Sequence, residues 1–296
     1  MIRYELKTIF GSVGGKIALG LYIATVILSC FLAANGFMNV DVKWVNEQGE
    51  SERGFQAVQK LREARNEWEG YLDQEMLTKV IQENSRINAT PEGQSSNVQK
   101  SNIAYGWKQG FSPIREMINR SYSVGFRTYD YYRADGISVI KEETFYGNRT
   151  RQLKDWLYDK TDVAYDLYTE AEKQYLIGQY EKLETPFYVD YHDGWYQLLE
   201  NAALLPMLGI LIIGYMVAGI FSNEFKWKAD TVYFSTLLGR NKATSAKIKA
   251  GLLLVTVLYW AAMLIYSFAT LGYLGFEGGN CVVQLRVWKS LYNITF

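Results

Sequence analysis

Three uncharged, apolar stretches constrain this chain more than any other feature of its sequence. They cover residues 17–40, 201–223 and 250–276. The hydrocarbon core of a bilayer is about 30 Å thick, and roughly 20 apolar residues in an α-helix cross it. Because backbone groups in lipid must find hydrogen-bond partners within the chain, a helix is the expected form of each stretch. We therefore predict an all-α membrane protein with three transmembrane helices.

A polar block of 160 residues, 41–200, separates the first stretch from the second. Two proline-free segments of this block, 53–86 and 149–180, place apolar residues near a 3.6-residue period, which predicts helices. Turn-forming residues at 88–101 predict a loop between them. The block contains no cysteine. We therefore expect a mostly helical domain that is held together by packing alone.

Two local signals lie in the middle of this block. Ser112-Pro113 is typical of a helix start, because proline is favoured at the first helical position. We predict a helix from there to about Arg133, ended by Asp135-Gly136. Residues 137–145 predict one short strand.

Lysine and arginine near the ends of the apolar stretches predict the orientation of the chain. Such cations concentrate on the cytoplasmic side of a membrane. Residues 1–16 contain three of them and residues 224–249 contain six, whereas the polar block has few near its two ends. We therefore expect a multi-pass protein of the cell membrane with a cytoplasmic N-terminus.

These spans and this orientation divide the chain into seven segments. In order, they are a cytoplasmic interfacial helix (1–16), a first transmembrane helix (17–40), an extracytoplasmic helical domain (41–197), a second transmembrane helix (198–223), a cytoplasmic loop (224–249), a third transmembrane helix (250–276) and an extracytoplasmic tail (277–296).

The start of the chain allows alternative interpretations. Ile2, Leu6 and Ile9 fall on one helical face and Arg3 and Lys7 nearer the other. This pattern fits a helix in the membrane interface, and a frayed polar terminus explains it equally well. The basic start and apolar run also resemble a secretory signal, but the 24-residue uncharged run is longer than a usual signal core and favours an uncleaved span.

Histidine and cysteine, which are frequent in catalytic and metal sites, are scarce in this sequence. His192 is the only histidine, so a site that needs two histidines is excluded and a catalytic triad has little material. We predict a plain surface or interface histidine there. Cys30 and Cys281 cannot form a disulfide framework. The sequence predicts no catalytic residue, no cofactor or metal ion and no nucleic-acid partner.

The basic segment 224–249 gives the strongest indication of function in this sequence. Residues 230–238 predict a short helix ending at Gly239, with Arg240 near its C-terminal carbonyl groups, where positive charge is favoured. Its apolar side includes Tyr233, Leu237 and Leu238, which need burial against the membrane surface or a partner protein. An amphipathic interfacial loop that obeys the positive-inside rule is the simpler alternative.

This segment resembles the loop after the second span in ABC-2-type permeases, the membrane subunits of ABC transporters. Their pattern runs from glutamate at a span end through threonine, an apolar stretch, Ser/Thr and arginine to lysine at the next span. The matching residues here are Glu224, Thr231, Ser235, Thr236, Arg240 and Lys247. The usual glycine is replaced by Ala229-Asp230, and Leu238-Gly239 stands where proline is frequent. Gly-Arg after the apolar stretch, here Gly239-Arg240, is common in Gram-positive members.

The resemblance implies the permease subunit of an ATP-driven exporter of a peptide, lipid or drug-like molecule. ATP hydrolysis is then expected on a separate ATPase chain, and the permease itself is not an enzyme. The implied partners are that ATPase, a second permease copy or half, and the lipid bilayer. The residues assigned to the ATPase-coupling loop are Glu224, Thr231, Tyr233, Ser235, Leu237, Leu238, Arg240 and Lys247.

The number of spans departs from the family pattern. Permeases of this type normally have six spans, so we expect a truncated or split gene product or a fragment. One alternative is a macrolide-exporter-like type VII ABC protein, which also places a large outer domain between its first two spans. The other is a sensor or receptor whose outer domain binds a peptide or an envelope component.

Overall fold

The computed structural model describes residues 1–35, 42–226, 228, 231, 235–286 and 288–296, without the side chains of residues 222–224, 226 and 240. This part of the chain is mostly helical with very little sheet, so the predicted all-α class is confirmed. It divides into two compact units. Unit 1 comprises Met1–Val40 and Gln197–Tyr273, and unit 2 comprises Asp41–Tyr196 and Leu274–Phe296.

The helices and strands among these residues are numbered in chain order. The helices are α1 (Ile2–Gly11), α2 (Val13–Asn35), α3 (Phe55–Asn66), α4 (Gln74–Asn88), α5 (Val98–Trp107), α6 (Ser112–Ser121), α7 (Glu142–Tyr158), α8 (Ala164–Leu167), α9 (Glu170–Glu181), α10 (Asp193–Asn201), α11 (Leu204–Lys226) and α12 (Thr244–Leu274). The strands are β1 (Trp44–Val45), β2 (Ser51–Glu52), β3 (Gly70–Tyr71) and β4 (Tyr188–Val189). Shorter turns are a π-helical one at Leu238–Ala243 and 3₁₀ ones at Arg133–Gly136 and Val283–Leu285.

Three of the described helical stretches are long and apolar enough to cross a membrane. They are Val13–Asn35, Leu204–Phe221 and Asn241–Leu274, with mean hydropathies of 2.3, 2.3 and 2.1. Each exceeds or nearly equals the roughly 20 residues that a bilayer core requires. The chain is therefore a multi-pass membrane protein.

The long helices of unit 1 meet at Tyr22. The Tyr22 hydroxyl of α2 donates a hydrogen bond to the Leu258 carbonyl of α12 at 2.9 Å. A Cβ added at Gly209 of α11 would lie 3.2 Å from the Tyr22 ring, so α2 and α11 approach closely at this glycine. Such bonds satisfy hydroxyl groups that lipid could not.

Unit 2 is built around an aromatic and aliphatic core supplied mainly by α4, α6, α7 and α9. Unit 2 also contains two antiparallel strand pairs, β1 with β2 and β3 with β4, and Val189 of β4 belongs to the core. Trp288 is only 1% exposed, and its ring contacts Phe145 and Phe187 at centroid distances of 5.0 and 5.5 Å. Cys281, Leu285 and Trp288, which belong to the predicted tail 277–296, therefore complete the core of unit 2.

The helix that starts at Ser112 is shorter than predicted. It ends at Ser121, and the extension to Arg133 is wrong. The Asn119 side chain donates to the Tyr131 carbonyl at 2.9 Å and accepts from the Ala134 N–H at 2.8 Å. These bonds hold the returning chain against α6, and a single long helix would have carried residues 131–134 away from them.

The short strand predicted at 137–145 is also wrong. Helix α7 begins at Glu142, and Glu142 and Glu143 occupy its first turn, where negative charge favours a helix N-terminus. Phe145, Arg149 and Leu153 are buried at helical spacing. Burial of this helical face outweighs the local β preference of the preceding residues.

The short helix predicted at 230–238 lies largely outside the described residues, which include only 231 and 235–238 of it. Gly239 lies within the π-helical turn Leu238–Ala243, which runs directly into α12. The Thr244 N–H and hydroxyl both donate to the Gly239 carbonyl, so the chain remains helical through this position. The backbone of Arg240 therefore lies in the helical turn that leads into α12.

Candidate functional site

The most distinctive polar arrangement of unit 1 is centred on Lys247. This side chain is 4% exposed, and its ammonium group lies 3.0 Å from Glu5 Oε2 and 2.9 Å from the Ile220 carbonyl. Glu5 belongs to α1, Ile220 to α11 and Lys247 to α12. A buried ammonium needs such partners because desolvation of an unpaired charge is costly. We call these three residues the Lys247 tie.

The position of α1 is set by a break in the chain at Ser12. Ser12 is extended, and its hydroxyl donates to the Ile9 carbonyl at 2.9 Å and accepts from the Gly15 N–H at 2.9 Å. A Cβ on Gly15 would lie 1.9 Å from the Ile9 carbonyl oxygen, so only glycine fits. This close turn brings Glu5 within reach of Lys247.

The predicted coupling residues fall into two groups. Leu237 and Leu238 are 70% and 58% exposed, and they stand where the helical structure leading into α12 begins. Thr231 and Ser235 are also exposed. Lys247 is instead buried ten residues further along, so its position suits an anchor and not a docking contact.

The remaining coupling residues lie outside the description. Tyr233 is not among the described residues, and neither are the side chains of Glu224 and Arg240. What the structure does bring together is an exposed apolar pair, Leu237 and Leu238, and a continuous helix that is anchored by the Lys247 tie.

Unit 2 contains a buried group of charges that sequence reasoning missed. Asp193, whose side chain is 3% exposed, forms an ion pair with Arg65 of α3, and its Oδ1 lies 3.9 Å from Arg286 Nη1. The guanidinium of Arg286 also lies over the Tyr196 ring, 4.3 Å from its centroid. Burial alone would raise the pKa of Asp193, but Arg65 and Arg286 hold it below its ordinary value. We call Arg65, Asp193 and Arg286 the Asp193 cluster.

The Asp193 cluster joins parts of the chain that are far apart in sequence. Asp193 begins the helix that leads toward the second apolar stretch, and Arg286 follows the third. The same two regions are linked by the Trp195 Nε1 hydrogen bond to the Phe276 carbonyl at 2.9 Å. The Gly278 N–H donates to Asp190 Oδ2 at 3.1 Å. Within unit 2, the segment before the second apolar stretch therefore packs against the segment after the third.

His192 was predicted to be a plain surface or interface histidine. It is buried, so a surface position is wrong. Its ring is stacked on Phe296 with centroids 5.2 Å apart, and its Nδ1 lies 2.7 Å from the Asp190 carbonyl oxygen. Because a carbonyl oxygen only accepts, Nδ1 carries the proton. Burial lowers the pKa of His192 to about 4. The ring is therefore neutral near pH 7 and serves packing.

We expect this histidine to make the stability of unit 2 depend on pH. An exposed histidine has a pKa of about 6.5, so as pH falls from about 6.5 to 4 the unfolded chain binds a proton that the folded unit does not. The free energy of unfolding should fall over this range, by about 3 kcal/mol from His192 alone. Urea unfolding of the full chain at several pH values, followed by near-ultraviolet circular dichroism, measures it.

The variant His192→Gln is the control for this pH dependence. It lacks the titrating ring, so its stability should change less between pH 6.5 and pH 4 than that of the parent protein. If both proteins lost the same stability over this range, other groups would be responsible.

The described residues offer little for metal or redox chemistry. They include no group of three or more His, Cys, Asp or Glu side chains that could hold a metal ion. Cys281 is buried, which raises the pKa of its thiol to about 11, and Cys30 lies in α2 of the other unit. Both cysteines are free thiols.

Comparison with protein-family models, with curated proteins and with solved structures gives no match to this chain. A functional proposal therefore depends on the residues of the chain itself.

One larger cavity lies in unit 2. It measures about 570 Å³ and lies between the β1–β2 hairpin, α3 and α5. Its lining includes three tryptophans and the exposed Glu47 and Glu67. A further carboxylate, Glu52, is paired with Lys60 at 2.8 Å. The lining tryptophans are Trp44, Trp68 and Trp107. We call this cavity the tryptophan groove.

Proposed function

We propose that this chain is the membrane-spanning permease subunit of an ATP-driven exporter, and that residues 224–249 contact a separate ATPase subunit. The observation that carries the proposal is an exposed apolar pair, Leu237 and Leu238, at the start of a helix that the Lys247 tie anchors. We call this pair the apolar tip. Leu237 and Leu238 are exposed beside a helix that continues without interruption to Leu274. A partner that gripped this tip would move a long helix.

The mechanism follows from mechanical continuity within unit 1. Closure of the ATPase on ATP would displace Leu237 and Leu238. Because Lys247 is bonded to Glu5 and to the Ile220 carbonyl, the displacement would pass to α1 and α11 together with α12. In this proposal residues 1–16 and 224–249 are cytoplasmic and unit 2 is extracytoplasmic, as the Lys and Arg distribution favours.

We expect the double variant Leu237→Asp/Leu238→Asp to lose the ATPase. Placing carboxylates in an apolar interface should weaken association by about 30-fold or more, the equivalent of about 2 kcal/mol for contacts at the centre of an interface. The tagged full chain would be purified from its own cells, co-purifying proteins identified by mass spectrometry, and ATP hydrolysis assayed.

The matched control is Val124→Asp. Val124 is 97% exposed in unit 2, so its variant carries the same chemical change away from the tip. It should retain the ATPase. The proposal fails if no ATPase co-purifies with the parent chain, or if the double variant retains as much ATPase activity as the control.

A receptor for a cationic ligand is the second candidate function, and the tryptophan groove favours it. Tryptophan faces attract cations. The Trp68 ring already faces Lys79 Nζ, 4.3 Å from its centroid. Trp44 and Trp107 are therefore the rings that would attract the ligand. Glu47 and Glu67 add negative charge at the same cavity. A receptor has no need of an ATPase at residues 237–238. The co-purification experiment therefore also separates the two candidates.

A further inference from the structure

A second open cavity lies in unit 1, between the start of α1 and the start of the helix that leads into α12. It measures about 640 Å³, and its lining includes Arg3, Lys242 and Lys249, all of them exposed. Asn241 and Ser245 add polar groups. None of the described residues that line it is acidic, and the nearby carboxylate of Glu5 is occupied by Lys247. We call it the basic pocket.

The basic pocket attracts an anion that can accept several hydrogen bonds. Three cations converge on it from two elements, α1 and the start of the α12 region. Arginine and lysine are the side chains that bind phosphate oxygens, and amide and hydroxyl groups complete such sites. Phosphate is therefore the chemistry that this lining fits best.

The surroundings of the pocket favour a phosphate that carries hydrocarbon chains. Lys249 is the last charged residue before the uncharged run 250–276, so the pocket lies at the end of a membrane-spanning helix. Lys242, Ser245 and Lys249 are three and four residues apart and share a helical face. Leu252 continues that face one turn further along and is 63% exposed.

We propose that the basic pocket binds the headgroup of an anionic phospholipid, with an acyl chain lying along the exposed apolar side of α12. Arg3 and Lys242 would bind the phosphate from two sides, and Lys249 would lie nearest the hydrocarbon. A basic pocket beside membrane helices is suited to such headgroups. The bound lipid would join α1 to α12 at a second point, next to the Lys247 tie.

The test uses the full chain with a C-terminal affinity tag, purified in a neutral detergent. Native mass spectrometry would count adducts during titration with dioleoylphosphatidylglycerol, dioleoylphosphatidylcholine or inorganic phosphate. We expect an adduct of the anionic lipid at concentrations where the zwitterionic lipid gives none. In Arg3→Gln/Lys242→Gln/Lys249→Gln, the concentration of anionic lipid needed should rise about tenfold or more.

The matched control is Lys7→Gln/Lys16→Gln/Lys228→Gln, which removes three exposed cations outside the pocket. It should bind the anionic lipid as the parent does, and circular dichroism should show the same helix content in all three proteins. Equal loss in both triple variants would overturn the proposal in favour of general surface charge. Displacement of the lipid by inorganic phosphate at equal concentration would assign the site to a soluble anion. Unchanged lipid binding in the pocket variant, with loss of a co-purifying protein, would make the pocket a protein contact.

Discussion

Replacing Asp193 with asparagine is expected to lower the free energy of unfolding of unit 2 by about 3–5 kcal/mol. Asp193 is the carboxylate that faces both Arg65 and Arg286, and all three side chains are largely buried. The asparagine would remove the carboxylate that pairs with both buried guanidinium groups. Urea unfolding of the full chain in detergent, followed by near-ultraviolet circular dichroism, reports on the aromatic core of unit 2.

The control for this experiment is Asp155→Asn. Asp155 is exposed on α7, so the same chemical change there should alter stability by less than about 0.5 kcal/mol. If Asp193→Asn and Asp155→Asn had equal stability, the Asp193 cluster would not stabilise unit 2.

Replacing Lys247 with methionine is expected to release α1 from α11 and α12. Breaking a buried ion pair by removing one partner costs about 3–5 kcal/mol, because the other charge stays behind. Ile9 of α1 is 9% exposed and is a suitable reporter. In a background of Cys30→Ala and Cys281→Ala, Ile9→Cys should react with a water-soluble thiol reagent at least about tenfold faster once Lys247 is replaced.

Two further variants sharpen this result. Lys16→Met removes an exposed lysine of α2 and should leave the labelling rate of Ile9→Cys unchanged. Glu5→Leu combined with Lys247→Met replaces the whole pair with apolar groups, which often preserves stability, so labelling should slow again. Slow labelling in the single Lys247→Met variant would show that the tie does not hold α1.

The Asp193 cluster and the Lys247 tie differ in how much of each can be predicted from the sequence. Lys247 was assigned a functional position from its place in a motif, but its burial against Glu5, 242 residues away along the chain, was not predicted. Nothing local marks Arg65, Asp193 and Arg286 as partners, because each looks like an ordinary surface charge. The burial of His192, predicted at the surface or an interface, was not predicted for the same reason, because a single ring gives no sign of which residues pack on it.

Predictions from the sequence were confirmed where the structure depends on neighbouring residues alone. The three apolar stretches sum a transfer free energy over some 20 neighbouring residues, and no tertiary contact is needed to recognise them. The helix start at Ser112-Pro113 was also predicted, because proline acts through its own backbone. The end of that helix and the expected strand at 137–145 were wrong, since the Asn119 bonds and the burial of Phe145 decide them from a distance.

The sequence by itself determined that this is a multi-pass, mostly helical membrane protein with a large polar block between its first two spans. Hydropathy and helical periodicity are properties of neighbouring residues, so they can be recognised without knowledge of the tertiary structure. Only the tertiary structure decided that Leu285 and Trp288 complete the core of unit 2, that Gly239 lies in the helical turn before α12, and that Lys247 and Asp193 are buried. Those outcomes depend on contacts between side chains that are far apart in the sequence, and local composition does not indicate which of them will form.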